Sequence, residues 1–370
     1  MIQRVLKFFG SVLLWLFILL LLLPILIPPF LDRIYYDGPP SAHFDGERFF
    51  NPDEGEGEWI GDPTSEVGGS NRSGFIWRFL TGDDRPAWPD HVAITRAIPA
   101  ERVAGDRMIA TWVGHATVLI QTQGLNILTD PIWSDYPSPF PPLGPRRTSE
   151  PGIAFEELPP IDLVLVSHNH YDHLDLPTLR RIWERDKPLI VTSLGNDTII
   201  AQAGARAVAR DWGERVAVTP EVSVIVTRNH HWGARWGTDR NRALWASFVV
   251  TTPAGNIFFA GDTGPGDMQW PEEAAAYGPV RLALIPIGAF RFENGQDWSS
   301  NHIGPIHAVR VFEGLGAAQA LGIHWGTFRL SWEAYETPGR LLGEELDAAG
   351  IRRDRFRAAP VATVWEIPAL

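Results

Sequence analysis

Nine consecutive residues, Ser167-His168-Asn169-His170-Tyr171-Asp172-His173-Leu174-Asp175, gather three of the chain's eleven histidines and two carboxylates. Residues two apart in extended chain face the same way, so His168 and His170 can grip one cation from one side. Asp172 and His173 lie past the turn and reach a second position. Imidazole and carboxylate together suit zinc, manganese or iron, and a chain without Cys has no thiolate ligands to offer.

Something must hold these side chains in place. Ile161 to Val166 is a short apolar run rich in branched residues and reads as a buried strand with the ligands at its carboxyl end. Asp175, followed by Leu176, Pro177, Leu179, Ile182 and Trp183, reads as an N-cap opening a short helix with one apolar face. Met108 to Trp112, Thr117 to Gln121 and Leu125 to Leu128 read as three more strands, the last running into Thr129-Asp130-Pro131. Asp130 either accepts the second ring N–H of a ligand histidine or shapes the turn before Pro131. His115, between Gly114 and Ala116, faces the site or caps a strand. Further apolar runs end in the same residue types: Val222 to Val226 before Asn229-His230-His231, Ile257 to Ala260 before Gly261-Asp262, and Gly322-Ile323 before His324. Open α/β sheets place sites at the carboxyl ends of strands, so these loops can converge on one centre.

With 370 residues, 45% of them hydrophobic, the chain can bury a large core. A formal charge of −12 disfavours nucleic acid as a partner, since its binding normally needs a basic surface. Three regions are expected: a membrane anchor over 1–34, a lead-in over 35–107 that wraps the core, and a ligand-bearing domain over 108–370. Phe8 to Phe30 has no charged residue. As a helix it would span the roughly 30 Å hydrocarbon layer, and Pro28-Pro29-Phe30 is a poor cleavage site, which favours an uncleaved anchor over a signal peptide. Arg4 and Lys7 before it favour a cytoplasmic amino terminus, with the ligand-bearing domain on the outer, periplasmic side. The lead-in is rich in Gly, Pro and acid, as in Asp53 to Glu58, and carries one aromatic cluster, Phe75 to Leu80. Arg228, Arg235, Arg240 and Arg242 surround the His231 loop; they draw in a phosphate or form a solvated surface. Trp232 and Trp236 are candidates for an acyl channel. The sequence carries no signal for an oligomeric state.

With these residues assembled, the chain resembles the metallo-β-lactamase-fold hydrolases, whose hallmark is the His-x-His-x-Asp-His loop seen from His168 to His173. Within them it is most similar to the N-acyl-phosphatidylethanolamine-hydrolysing phospholipases D. The matching words include Thr111-Trp112-Val113-Gly114-His115-Ala116-Thr117, Leu128-Thr129-Asp130-Pro131, Gly144-Pro145-Arg146-Arg147, Ile285-Pro286-Ile287-Gly288 and Ile323-His324-Trp325-Gly326. The likeness leaves the amino-terminal anchor unaccounted for and implies Gln where this chain has His230. It implies an αββα sandwich and two zinc ions, the first held by His168, His170 and His231, the second by Asp172, His173 and His324, with Asp262 bridging. Asp172, Asp262 and His302 would be the catalytic residues, His302 assisting the leaving group or holding the phosphate. Phospholipid would be the substrate, cleaved to N-acylethanolamine and phosphatidic acid by a hydroxide shared between the cations. The competing expectations are a lactonase or other phosphodiesterase on the same scaffold, and a membrane-tethered module without catalysis.

Overall fold

The computed structural model describes residues 2–26, 33–53, 85–236, 238–292 and 296–370. Residues 54–58 of the acidic run and the Phe75–Leu80 cluster lie outside them.

Alternation with a period of two builds the centre of the molecule. In strand β4 (Leu163–Val166) all four residues are buried. Leu163 and Leu165 face one apolar layer, Val164 and Val166 another. Strand β10 (Asn256–Phe259) behaves alike, with Ile257 and Phe259 on one side and Phe258 on the other. Strands buried on both faces need cover on both faces, and the chain supplies it with a second sheet inside and helices outside.

The first sheet runs β14 (Val364–Glu366), β1 (Met108–Gly114), β2 (Thr117–Thr122), β3 (Leu125–Thr129), β4, β5 (Leu189–Ser193), β6 (Val208–Arg210). The second runs β13 (Phe356–Arg357), β12 (Gln319–Ile323), β11 (Val280–Pro286), β10, β9 (Ser247–Thr251), β8 (Ser223–Thr227), β7 (Arg215–Ala217). β14 through β3 pair antiparallel and β3 through β6 parallel. The second sheet repeats the pattern, antiparallel from β7 to β10 and parallel from β10 to β13. Leu165, Ile127, Val226, Phe248 and Leu284 fill the space between the sheets.

Helix α2 (Leu176–Asp186) buries Leu179 and Ile182 against the outer face of the first sheet, with α3 (Asn196–Ile200) beside it. Helices α4 (Trp270–Ala275), α5 (Pro305–Gly314) and α6 (Thr337–Ala348) cover the second. The expected layers of a mixed α/β two-sheet sandwich are thus observed. Phe44 and Phe49 of the lead-in are buried against Leu244 and Trp245.

Helix α1 forms over Ile2–Leu26. Phe8, Leu13, Trp15 and Leu20 on it are each more than half exposed. Among the described residues no helix is long and apolar enough to cross a membrane, which leaves the expected membrane-spanning segment without support.

Candidate metal centre

Six strand ends meet at one place. β1 delivers His115, β3 delivers Asp130, β4 the run His168 to His173, β8 His231, β10 Asp262 and β12 His324. Three of these residues lie in the left-handed region without being glycine: His115 at φ 54°, Asp130 at 29° and His324 at 62°. Such conformations cost on the order of 1 kcal/mol each and turn the chain sharply, so the side chain leaves the strand direction and points into the centre. Gly261, at φ 62°, does the same for Asp262 in a place with no room for a side chain. A Cβ there would sit 2.6 Å from Cβ of Ser167.

Two groups of donors result, and they share Asp262. In the first, Nε2 of His173 and Nε2 of His324 are 3.1 Å apart, and each is 3.1 Å from Oδ2 of Asp262. Both nitrogens lie 3.4 Å from Oδ2 of Asp172. Four donors on a tetrahedron with bonds of about 2.0–2.1 Å are separated by roughly 3.3 Å, so this group has the size a small divalent cation requires. The second group is His168, His170, His231 and Asp262, with donor atoms within 4.8 Å of one another. Nε2 of His168 lies 2.8 Å from Nδ1 of His170, and Nε2 of His231 lies 4.0 Å from Oδ2 of Asp262. Nε2 of His231, Nε2 of His170 and Oδ1 of Asp262 are buried and have no hydrogen-bond partner among the described residues. Buried polar atoms are normally satisfied, and a cation would satisfy these.

Hydrogen bonds behind the imidazoles fix which nitrogen faces inward. His173 donates from Nδ1 to Asp130 at 2.6 Å, and His231 from Nδ1 to the carbonyl of Asn301 at 2.9 Å. His168 uses Nδ1 on Oγ of Ser167 at 2.9 Å, and Ser167 in turn donates to Asp130 at 2.5 Å. In each case Nε2 is left for the centre, the arrangement metal-binding histidines need. Asp130 therefore supports two ligands, one directly and one through Ser167. His115 faces the site, with Nε2 at 2.8 Å from the same Asp172 oxygen that faces His173 and His324.

Burial and charge act together on protonation. Desolvation holds His168 and His231 well below the usual imidazole range and brings His170 and His115 to about 3. Burial also opposes charge on His173 and His324, but the carboxylates of Asp262 and Asp172 outweigh it, raising His324 to about 9 and His173 well above its ordinary value. Those two carboxylates are held far below the usual range, burial being overcome by the imidazoles around them.

His302 stands at the rim. Its Nδ1 has no partner among the described residues and lies 3.8 Å from Oδ2 of Asp262, and burial lowers its pKa to about 4. The arginines do not gather at the centre. Arg228 is paired with Asp267 at 3.1 Å and Glu273 at 2.7 Å, which occupies the guanidinium expected to meet a phosphate. Arg235 stacks 3.7 Å over Tyr171 and donates to the carbonyls of Asn169 and Leu174, bracing the ligand loop from outside. The guanidinium of Arg240 lies 4.1 Å over Trp232, which packs on His170. Sequence reasoning assigned no role at the site to Ser167, Asn51 or Asp53. Ser167 adjoins the motif and was in principle legible; the other two meet the site only through folding.

Residues 125–325 match the family model described as a beta-lactamase superfamily domain. The N-acyl-phosphatidylethanolamine-hydrolyzing phospholipase D 1 of Caenorhabditis elegans is 32% identical over 87% of this chain and 93% of its own length. The chain belongs to this phospholipase D family of the metallo-β-lactamase fold. It is a metal-dependent hydrolase. The mitochondrial N-acyl-phosphatidylethanolamine-hydrolyzing phospholipase D of Saccharomyces cerevisiae is 34% identical over 72% of the chain, which spans 57% of that protein. Among solved structures, an isothiocyanate hydrolase from Delia radicum gut bacteria superposes with a TM-score of 0.56 at 18% identity, over 71% of this chain and all of that one. That last likeness concerns the fold alone.

Proposed function

We propose that the protein is a two-cation phospholipase D that hydrolyses N-acyl-phosphatidylethanolamine-like phospholipids to N-acylethanolamine and phosphatidic acid. The single observation that carries the reading is the pair of donor groups sharing Asp262, in a chain aligned with the Caenorhabditis elegans enzyme over nearly all of both lengths. His168, His170 and His231 would hold one cation, and Asp172, His173 and His324 the other. Zinc fits the imidazole-rich donor set and the tetrahedral spacing around Asp172. Two such cations supply a water of lowered pKa and offset charge building on the phosphoryl oxygens.

The protein's own residues do the rest. Asp262 holds both donor groups in register, and His115 and Asp130 fix Asp172 and His173. Hydrolysis breaks the bond between phosphorus and the ethanolamide oxygen, and that oxygen must leave with a proton. His302, at the rim with Nδ1 unpaired among the described residues, is placed to hold the phosphate or pass that proton.

Lipid access has a physical counterpart in the loop that faces the Trp236 ring. Phe140 is 61% exposed and Leu143 69%, and Phe140 packs at 6.1 Å from Trp236, itself beside Tyr171 of the ligand loop. A cavity of about 180 Å³ lies there, walled by Tyr171, Leu176, Arg235 and Trp236. Apolar tips next to a catalytic centre suit a substrate that arrives in a lipid surface. The exposed apolar side chains of α1 belong to the same proposal, as an attachment to the bilayer with the hydrolase domain on its outer face. Protection of that domain from protease in intact spheroplasts would refute the orientation.

Turnover of N-acyl-phosphatidylethanolamine in mixed micelles, set against a soluble phosphodiester and a lactone, tests the reading. Activity on the soluble substrates alone would favour another hydrolase on the same scaffold. Full metal occupancy without turnover on any of the three would leave a binding module.

A further inference from the structure

The lead-in before the sheets carries two buried polar side chains that reach the centre from 180 residues away. Asn51 is 3% exposed. It donates from Nδ2 to the carbonyl of His231 at 2.9 Å, and its Oδ1 accepts from the backbone N–H of His231 at 3.3 Å. The same oxygen accepts from Nε1 of Trp245 at 3.0 Å. One amide thus occupies both backbone hydrogen-bonding groups of a candidate ligand and ties it to a buried indole.

Asp53 continues the contact two residues on. Its Oδ2 pairs with Nδ1 of His230 at 2.9 Å and accepts from the backbone N–H of Asp267 at 2.7 Å. A Cβ on Gly266 would lie 2.3 Å from that oxygen and 2.6 Å from Nδ1 of His230, so the glycine is what lets the three groups close up. Asp53 and His230 thereby join the loop that carries His231 to the one that follows Asp262. His230 is the position where this chain departs from the Gln its resemblance implies, and here it has a partner of its own.

We infer that Asn51 and Asp53 are positioning residues for the His168–His170–His231 cation site, acting through the backbone of His231 and through His230. The inference rests on the assignment of His231 as a ligand. The chemistry favours it over simple packing. His231 is turned inward by Nδ1 on Asn301, and its ring can still slide along that bond unless its own backbone is pinned. Asn51 supplies that pin, while Phe44 and Phe49 beside it supply the burial. Groups behind a ligand typically change metal affinity by roughly 10- to 100-fold when removed.

The test is a zinc titration of the full chain against a chromophoric chelator, with melting temperature read in parallel. Asn51→Asp keeps the acceptor for Trp245 and for the His231 N–H but removes the donor to its carbonyl. The expected result is one of two zinc equivalents weakened by roughly 10- to 100-fold, the other unchanged, and a melting temperature within about 4 °C of the wild type. His43→Ala is the control. It breaks the pair that His43, in the same lead-in, makes with Asp211 at 2.7 Å, and is expected to lower the melting temperature with both equivalents intact. If Asn51→Asp fails to fold, Asp53→Asn decides, with a smaller loss confined to one equivalent. Wild-type affinity at both sites, equal loss at both, or the same selective loss in His43→Ala would overturn the inference. A wild-type chain that binds no zinc would instead overturn the two-cation reading itself.

Discussion

Oδ2 of Asp130 lies 2.6 Å from Nδ1 of His173, both side chains fully buried, and the same oxygen accepts from Ser167, whose hydroxyl meets Nδ1 of His168. One carboxylate from the end of β3 therefore orients an imidazole in each of the two donor groups. Burial raises the pKa of Asp130, and the His173 ring and Ser167 pull it back.

Asp130→Asn tests that relationship. The amide keeps the shape but offers a donor or a neutral acceptor where His173 needs an anion, so both cation sites should weaken, by roughly 10- to 100-fold in affinity. Chelator competition followed by metal analysis measures it. Retention of both metals at wild-type affinity would remove Asp130 from the site's support.

Asp262 and His302 should separate cleanly. Asp262→Asn should lower activity and metal content together, because Oδ2 of Asp262 belongs to both donor groups. His302→Ala should lower activity by roughly 100-fold or more while both metals stay bound, in keeping with the loss of one acid–base group. Loss of metal in His302→Ala would make His302 a ligand instead.

Gly261→Ala should cost stability without touching a ligand. The left-handed backbone and the 2.6 Å approach to Ser167 together call for at least about 2 kcal/mol, or a fall of roughly 4–8 °C in melting temperature. An unchanged melting curve would mean that the β10 loop can retreat from Ser167.

Much of this was legible in the sequence because local rules govern it. Strands β1 to β4, β8, β10 and β12 announce themselves as branched apolar runs, and His115, Asp130, His168, His170, His231, Asp262 and His324 each follow within a few residues of such a run. The His168–His173 spacing alone argues for cations. What folding adds is long-range: His115 turns out to touch Asp172, Arg228 is taken up by Asp267 and Glu273, and Asn51 reaches His231. Those pairings depend on where separate loops come to rest, which no periodicity encodes. Short edge strands such as β6, β7 and β13 lack enough residues to show a pattern. The apolar run at the amino terminus was read correctly as a helix, while its passage through a membrane finds no support among the described residues.

Glu333 offers a pH test away from the cations. It is buried and accepts from the backbone N–H groups of Ala289 and Arg291 and from Ser331. Burial raises its pKa above the ordinary 4.5, with those donors opposing. A raised folded value in an acid means that its stabilising contribution is present below the unfolded pKa and is lost as pH rises through the folded one. Glu333→Gln cannot ionise, so its melting temperature relative to wild type should improve as pH rises above the ordinary carboxylate range. A difference that stays constant, or moves the other way, would contradict the burial argument.

The most direct test of the central claim is product analysis by mass spectrometry after the zinc-loaded protein hydrolyses N-acyl-phosphatidylethanolamine in heavy-oxygen water. Attack at phosphorus predicts N-acylethanolamine and phosphatidic acid in equal amounts, with the label in phosphatidic acid. Label in the ethanolamide, or turnover confined to lactones and soluble diesters, would contradict it.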